Sequence, residues 1–194
     1  SLTVTGAGTT LGINVGTSSI TGAGPTSISY SGIASISAIA GGSSTLAASG
    51  ASSYVLTPGA AADEGTLTAG SFPITYDGFD STDTISVDGS GTLTINGTTS
   101  GDVLSVGTAG TSPDRGDITF TGRATIDADN IANLILNGLG GDDTFTVAAG
   151  HAYTNITLNG GDPSASDVAN LTADGTLTTT TGAVTVCGRV AALL

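Results

Sequence analysis

The sequence predicts an all-β chain wound as a right-handed parallel β-helix, a β-solenoid whose coils take about 20–26 residues each. Three observations predict it. A short β-prone run, then Asn-Gly or Thr-Gly, then small residues and often an aspartate, is written four times: LTVTGAGTTLGINVG from Leu2, LTINGTTSGDVLSVG from Leu93, LILNGLGGDDTFTVA from Leu134 and ITLNGGDPSASDVANLTADG from Ile156. Glycine supplies 31 of 194 residues, aromatics make up 4%, and Met, Trp and Lys are absent, so the 38% of hydrophobic residues must bury Val, Ile, Leu and Ala in thin layers. No stretch holds apolar residues at helical spacing without interruption by Gly or β-branched residues; the nearest approach is a single turn over 130–136. The β-branched content and a mean hydropathy of +0.29 oppose disorder. A β-sandwich, which also strings short strands between turns, is the alternative; few aromatics and the recurring Asn-Gly favour the solenoid.

Taken in order, short or alternating apolar runs bounded by Gly, Asn, Asp and Ser mark strands at 2–5, 12–15, 27–30, 35–39, 54–56, 66–68, 74–76, 84–87, 92–95, 103–106, 117–121, 124–126, 134–136, 144–147, 155–158, 169–172, 176–179 and 183–186. A second phrase repeats as ISYSGIASIS from Ile28, ITYDGFDSTDTIS from Ile74 and ATIDADNIANLIL from Ala124. Its apolar anchors Ile33, Phe79 and Ile131 lie 46 and 52 residues apart, while Asn137 and Asn159 lie 22 apart. Both spacings fit one coil length, the longer unit being two coils. Such a chain makes about eight or nine coils, a rod on the order of 40 Å long at about 4.8 Å per rung. Stacked Asn side chains can bond along the ladder, and an Asn or Gly at a repeated left-handed corner turns the chain without a Cβ clash. The whole of 1–194 reads as a single solenoid unit, or part of a longer array. Its terminal runs, 2–5 and the apolar 190–194, carry no cap, so both ends are expected to be covered by neighbouring copies or further repeats.

Formal charge is −13, from 16 acidic residues against Arg115, Arg123 and Arg189. So few cations cannot neutralise phosphates, which argues against nucleic acid and anionic membranes as partners. The charge is unevenly placed: 1–62 holds no charged side chain, and every acidic residue lies in 63–194. The uncharged coils offer a surface for packing against another copy, whereas the acidic coils repel copies unless cations screen them. The lone Cys187 excludes an intrachain disulfide and, in the run VTVCGRV, reads as a small apolar strand residue. No apolar span long enough for a membrane helix is present, and the chain reads as a mature or excised piece.

The segment GLGGDDTFT at 138–146 resembles the calcium-binding nonapeptide GGxGxDxUx of RTX proteins, matching its first and fourth glycines (Gly138, Gly141), its aspartate (Asp143) and its apolar residue (Phe145), with Leu139 in place of the second glycine. The resemblance implies a parallel β-roll in which carboxylates and loop carbonyls hold Ca²⁺, with Asp142, Asp143, Asp162 and Asp167 as ligands. The other reading of these aspartates is that they cap turns through their side chains. More broadly, SYSGIASIS, ITYDGFDS, LNGLGGDDTFTV and LNGGDPSASD resemble the long Gly/Thr/Asp-rich repeat proteins of bacterial surfaces, including those of planctomycetes. That resemblance implies secretion and a structural or adhesive role.

Two other functions compete with this one. The pair Asp142-Asp143 followed by Gly150-His151 resembles the carboxylates and histidine of polygalacturonase-like hydrolases, but the Asn-Thr-Asp and Arg-Ile-Lys stretches are missing and the spacing differs; lyases need cationic clamps that three arginines do not provide. No enzyme is therefore expected, and His151 reads as an exposed loop residue. Flat threonine ladders for ice or carbohydrate could come from Thr3 and Thr5, Thr92 and Thr94, and Thr176, Thr178 and Thr180, although threonine also favours strands on its own account. Sequons at Asn96, Asn155 and Asn170 permit glycosylation. The function expected is that of an extracellular, cell-surface structural protein, a self-associating unit of a surface layer, filament or adhesin. Its partners would be further copies, met through the solenoid ends and the uncharged segment, and cell-surface glycans.

Overall fold

The computed structural model describes residues 1–6, 10–22, 27–162 and 166–172, and the backbone alone of 178–179 and 184–187. The described residues form twenty strands: β1 (Leu2–Thr5), β2 (Thr10–Asn14), β3 (Ser19–Thr21), β4 (Ile28–Ser29), β5 (Ile36–Ile39), β6 (Thr45–Ser49), β7 (Ser53–Pro58), β8 (Gly65–Ala69), β9 (Phe72–Asp77), β10 (Thr84–Asp88), β11 (Thr92–Asn96), β12 (Val103–Val106), β13 (Ile118–Phe120), β14 (Thr125–Asp129), β15 (Asn133–Gly140), β16 (Thr144–Val147), β17 (Asn155–Asp162), β18 (Asp167–Leu171), β19 (Thr178–Thr179) and β20 (Val184–Cys187). No helix occurs among the described residues. The single turn of helix expected over 130–136 is strand instead: Asn130 takes a left-handed φ of 58° and the chain runs straight into β15. β3 and β6 were not foreseen, since SIT and TLAAS carry too few large residues to stand out from their Ser- and Gly-rich surroundings.

The strands form two sheets. Sheet A has nine strands in the order β1-β5-β9-β8-β7-β11-β15-β17-β19, and sheet B has eleven in the order β20-β18-β16-β12-β13-β14-β10-β6-β2-β3-β4. The chain alternates between them and neighbours from successive coils pair in parallel, so the architecture is a parallel β-solenoid. In most strands whose side chains are described, alternate residues point inward, as in the buried Leu46 and Ala48 of β6 or Ile126 and Ala128 of β14. Register stacks like on like: Leu11, Leu46, Ile85 and Ile126 form one column of sheet B, and Leu56, Ile95, Leu136 and Leu158 one column of sheet A, all of them buried. At about 25 cal/mol per Å² of apolar surface removed from water, these aliphatic columns carry most of the stabilisation that a core poor in aromatics can provide. Phe79 and Ile131 close the corners as buried anchors, while Ile33 is only partly buried.

Sheet A is nine strands deep, but the solenoid has fewer coils than the eight or nine expected, because several of these strands are not built by winding. Simple coils occur at β15 to β18, where Leu134 pairs with Ile156, 22 residues on, and Phe145 with Ala169, 24 on. Earlier the parallel step is 39 residues from Leu46 to Ile85 and 41 from Ile85 to Ile126. The surplus is a hairpin that folds back antiparallel inside the sheet: β2-β3-β4 and β12-β13-β14 in sheet B, β7-β8-β9 in sheet A. The longer sequence period is therefore one coil plus one hairpin. The turn between β8 and β9 uses Gly70 at a φ of 64°, a conformation that suits a tight hairpin and that other residues rarely adopt.

Arg123, at the turn between β13 and β14, ties that hairpin to the one opposite. Its guanidinium donates to the carbonyls of Gly59 (3.2 Å), Ala61 (2.9 Å) and Ala62 (3.2 Å) and lies 5.3 Å from the Phe120 ring centroid. The boundary between uncharged and acidic sequence, after Ala62, falls in this same β7-β8 turn. It separates surface chemistries and not structural units, because β7 lies between β8 and β11 in sheet A.

Candidate functional site

The repeated Asn-Gly…Asp phrase builds one corner of the solenoid, where sheet A hands the chain to sheet B. Asn96, Asn137 and Asn159 occupy one register position on β11, β15 and β17. Their amides form a ladder: Asn159 Nδ2 donates to Asn137 Oδ1 (2.6 Å), Asn137 Nδ2 to Asn96 Oδ1 (2.9 Å), and Asn96 Nδ2 to Thr57 Oγ1 (3.0 Å). A parallel pair repeats this with Asn155 Nδ2 donating to Asn133 Oδ1 (2.8 Å). An amide that is both donor and acceptor is the side chain best able to chain in this way along a stack with a strand-to-strand spacing of about 4.8 Å. These asparagines turn no left-handed corner; the positive φ values fall at Leu139 (77°), Gly141 and Gly161.

The aspartate that ends each phrase is buried and caps backbone. Asp167 Oδ1 accepts the N–H of Asp143 (2.9 Å), Asp143 Oδ1 accepts that of Asp102 (2.8 Å), and Asp102 accepts the N–H of Thr98 (2.5 Å). Asp83 does the same at an earlier corner, for Ser44 N–H (2.5 Å) and Asp80 N–H (2.9 Å). The glycine of each phrase makes room for the carboxylate. A Cβ on Gly138 would lie 1.9 Å from Asp143 Oδ2, one on Gly160 2.0 Å from Asp167 Oδ2, and one on Gly97 2.6 Å from Asp102 Oδ2. Burial pushes the Asp143 carboxyl up to about 6; the Asp102 N–H bond opposes the rise, and the charges of Asp167, Asp102 and Asp142 add to it.

Of the four aspartates expected to hold calcium, Asp143 and Asp167 are stacked in this column with no exposed surface. Asp142 is exposed and accepts a hydrogen bond from Ser166 Oγ, and Asp162 is exposed at the end of β17. The described acidic side chains that do converge are Asp114, Asp117 and Asp127, whose oxygens lie within 4.8 Å of one another. Asp129 and Asp88, register partners on β14 and β10, adjoin them, and Asp114 bridges to Asp129. Burial and then mutual repulsion raise the Asp117 and Asp129 carboxyls. Asp114 accepts the N–H groups of Gly110 (2.5 Å) and Gly116 (2.6 Å), and Asp127 accepts Ser86 Oγ (3.1 Å). None of these three is among the aspartates expected to hold calcium. The signal was present in Asp127-Ala128-Asp129, whose period of two puts both carboxylates on one strand face, but Asp114 and Asp117 reach it only because β13 folds back.

The remaining expected positions are dispersed. His151 is half-buried, its Nδ1 has no hydrogen-bond partner, and burial lowers its pKa; its ring sits 6.0 Å from that of Tyr153. Asp143, enclosed and bonded to backbone, has no surface to offer a substrate. On the outer face of sheet A, Thr3, Ser37, Thr75, Thr66 and Thr57 follow one another across five adjacent strands and lead into Asn96 and the amide ladder. Thr94 lies on that face too and pairs with Ile135, while Thr5 pairs with Ile39; Thr176 and Thr180 fall outside the described residues, as do Val190–Leu194 and the side chains of Thr178 and Cys187. Among the sequons, the Asn96 amide is spent within the ladder, Asn155 is exposed, and Asn170 is half-buried on β18.

Fold and corner together define a parallel β-solenoid repeat protein whose coils are closed by asparagine and aspartate columns. Comparison with protein-family models, with curated proteins and with solved structures finds no match. No helix among the described residues is long and apolar enough to cross a membrane.

Proposed function

We propose that the chain is an extracellular structural protein, a self-associating unit of a bacterial surface layer, filament or adhesin, without catalytic activity. The observation that carries this reading is the uncharged edge shared by both sheets. Among the described residues β1 pairs with β5 alone and β4 with β3 alone, no charged side chain lies anywhere in 1–62, and Ile28 of β4 is 42% exposed. Unpaired strand edges recruit strands, and proteins that must stay monomeric place charges on them. A divalent cation held by Asp114, Asp117 and Asp127 would screen the repulsion among acidic coils, with Ca²⁺ the hard, oxygen-seeking ion that suits carboxylates.

Sedimentation and electron microscopy of the purified chain, in Ca²⁺ and in chelator, test the proposal. Ordered, concentration-dependent assemblies are expected, stronger in Ca²⁺ and abolished by Thr3→Lys with Ile28→Lys. A folded monomer at every concentration would end it. The hydroxyl row on sheet A supports a second reading, binding to ice or to a carbohydrate surface; thermal hysteresis or glycan retention by the monomer would favour it.

A further inference from the structure

The outer face of sheet A sorts its side chains into three columns that run along the solenoid axis. Across the parallel neighbours β7, β11, β15 and β17, register sets Val55, Thr94, Ile135 and Thr157 in the central column. Thr57, Asn96, Asn137 and Asn159 flank it on one side, and Ser53, Thr92, Asn133 and Asn155 on the other. All of these side chains are at least partly exposed, and none is charged. The outer face of sheet B differs. Asp88 on β10 and Asp127 and Asp129 on β14 make it acidic, with Asp114 and Asp117 beside them. Charge is therefore divided around the cross-section of the solenoid as well as along the chain.

The flanking amides are held in place before any partner arrives. The ladder takes one N–H of Asn137, donated to Asn96 Oδ1 (2.9 Å), and one lone pair, which accepts from Asn159 Nδ2 (2.6 Å). The same amide keeps a second N–H and a second lone pair. On the other flank Asn133 Oδ1 accepts from Asn155 Nδ2 (2.8 Å). Side chains already fixed by their neighbours cost little to order when a ligand binds. Between these two polar rails the β-branched central column forms a shallow apolar strip. We propose that this face is a docking surface for an extended, uncharged polysaccharide, an inference that rests on the carbohydrate reading of the hydroxyl row and gives it a ligand class and a place. Each sugar ring of such a chain has an apolar C–H face to lie on the central column and a rim of hydroxyls, each both donor and acceptor, to meet the remaining amide groups. Charge selects against other polymers. A net charge of −13 repels a polyanion, and a polycation would gather on the aspartates of sheet B. A second copy is the poorer occupant, because sheets pack face to face through interdigitating apolar side chains and both flanking columns here are polar.

Co-sedimentation of the full chain with insoluble cellulose and with chitin reads this out, beside polygalacturonate and chitosan as anionic and cationic comparators. Retention on a neutral polymer is expected and should not be weakened by salt. Val55→Ala with Ile135→Ala should weaken it about tenfold. Ser105→Ala with Thr146→Ala, register partners on the outer face of sheet B, should leave it unchanged. Retention on neither neutral polymer overturns the proposal; the carbohydrate reading then survives if a charged polymer is held and falls with it if none is. Neutral-polymer retention that the sheet B variant loses and the sheet A variant keeps moves the site to the other face and also overturns the proposal. Thermal hysteresis without retention, or pairing of copies abolished by the sheet A variant, would put ice or a second copy on this face instead. Should the sheet A variant not fold, amide NMR of the parent with cellohexaose decides: shifts grouped in 92–96 and 133–137 support the site, and their absence there refutes it.

Discussion

Gly138→Ala puts the physical account of the corner at its greatest risk. Gly138 has an ordinary negative φ, so the substitution introduces no backbone strain, and its effect is purely steric. The new methyl would overlap Asp143 Oδ2 at 1.9 Å and the Gly160 carbonyl oxygen at 2.4 Å, both far inside contact distance, and the second is backbone fixed by its own ladder. Relief requires the carboxylate to swing out, breaking its bond to Asp102 N–H. Overpacking costs about 1–3 kcal/mol and loss of a hydrogen bond to a charged acceptor about 1.5–3, for an expected loss of about 3–5 kcal/mol. Gly107→Ala is the control. Its Cβ would meet nothing closer than 3.4 Å, so it should be neutral or gain a few tenths of a kcal/mol from a less flexible unfolded chain. The assay is the urea midpoint at constant slope for both variants and for Gly138→Ala combined with Asp143→Ala. Truncating the carboxylate vacates the contested space, so the double variant should lose less than the two single losses summed. A Gly138→Ala loss below about 1 kcal/mol, or strict additivity in the double variant, would refute the reasoning.

Three further outcomes follow from the same geometry. Asn137→Ala removes the middle of the amide ladder and should cost about 1–2 kcal/mol by thermal unfolding, while Asn137→Asp should cost more above pH 5, where it sets a carboxylate against Asn96 Oδ1. Leu139 holds a φ of 77° with its side chain 48% exposed, so Leu139→Gly should stabilise by up to about 1 kcal/mol, read as a higher melting temperature. Arg123→Ala frees the carbonyls of the β7-β8 turn and should cost about 1–2 kcal/mol, with faster amide exchange in 59–64 as the local sign.

Much of the fold could be read from period and composition, because a solenoid rewrites its register in the chain. Asn137 and Asn159 stand 22 residues apart, and that spacing is the register of β15 on β17. The amide ladder was legible for the same reason, as was a cap as one reading of the aspartates. Leu139, which breaks the nonapeptide match, still adopts the left-handed backbone that a glycine there would favour. The hairpins were not legible: TLTA at 66–69 and ITF at 118–120 alternate like any rung, and nothing local distinguishes a strand that advances from one that folds back. With the hairpins went the acidic group, since Asp114 and Asp117 reach Asp127 only across an antiparallel turn.

The amino-acid sequence by itself determined the all-β class, the stacked repeat, the aliphatic core and the division of charge after Ala62, because each depends on residue type and spacing along the chain. Tertiary structure alone decided which strands reverse, which carboxylates converge, and that Asp143 is enclosed beside Gly160. Those outcomes depend on which segments become neighbours in a sheet, and a strand's alternation reports only which of its faces is buried.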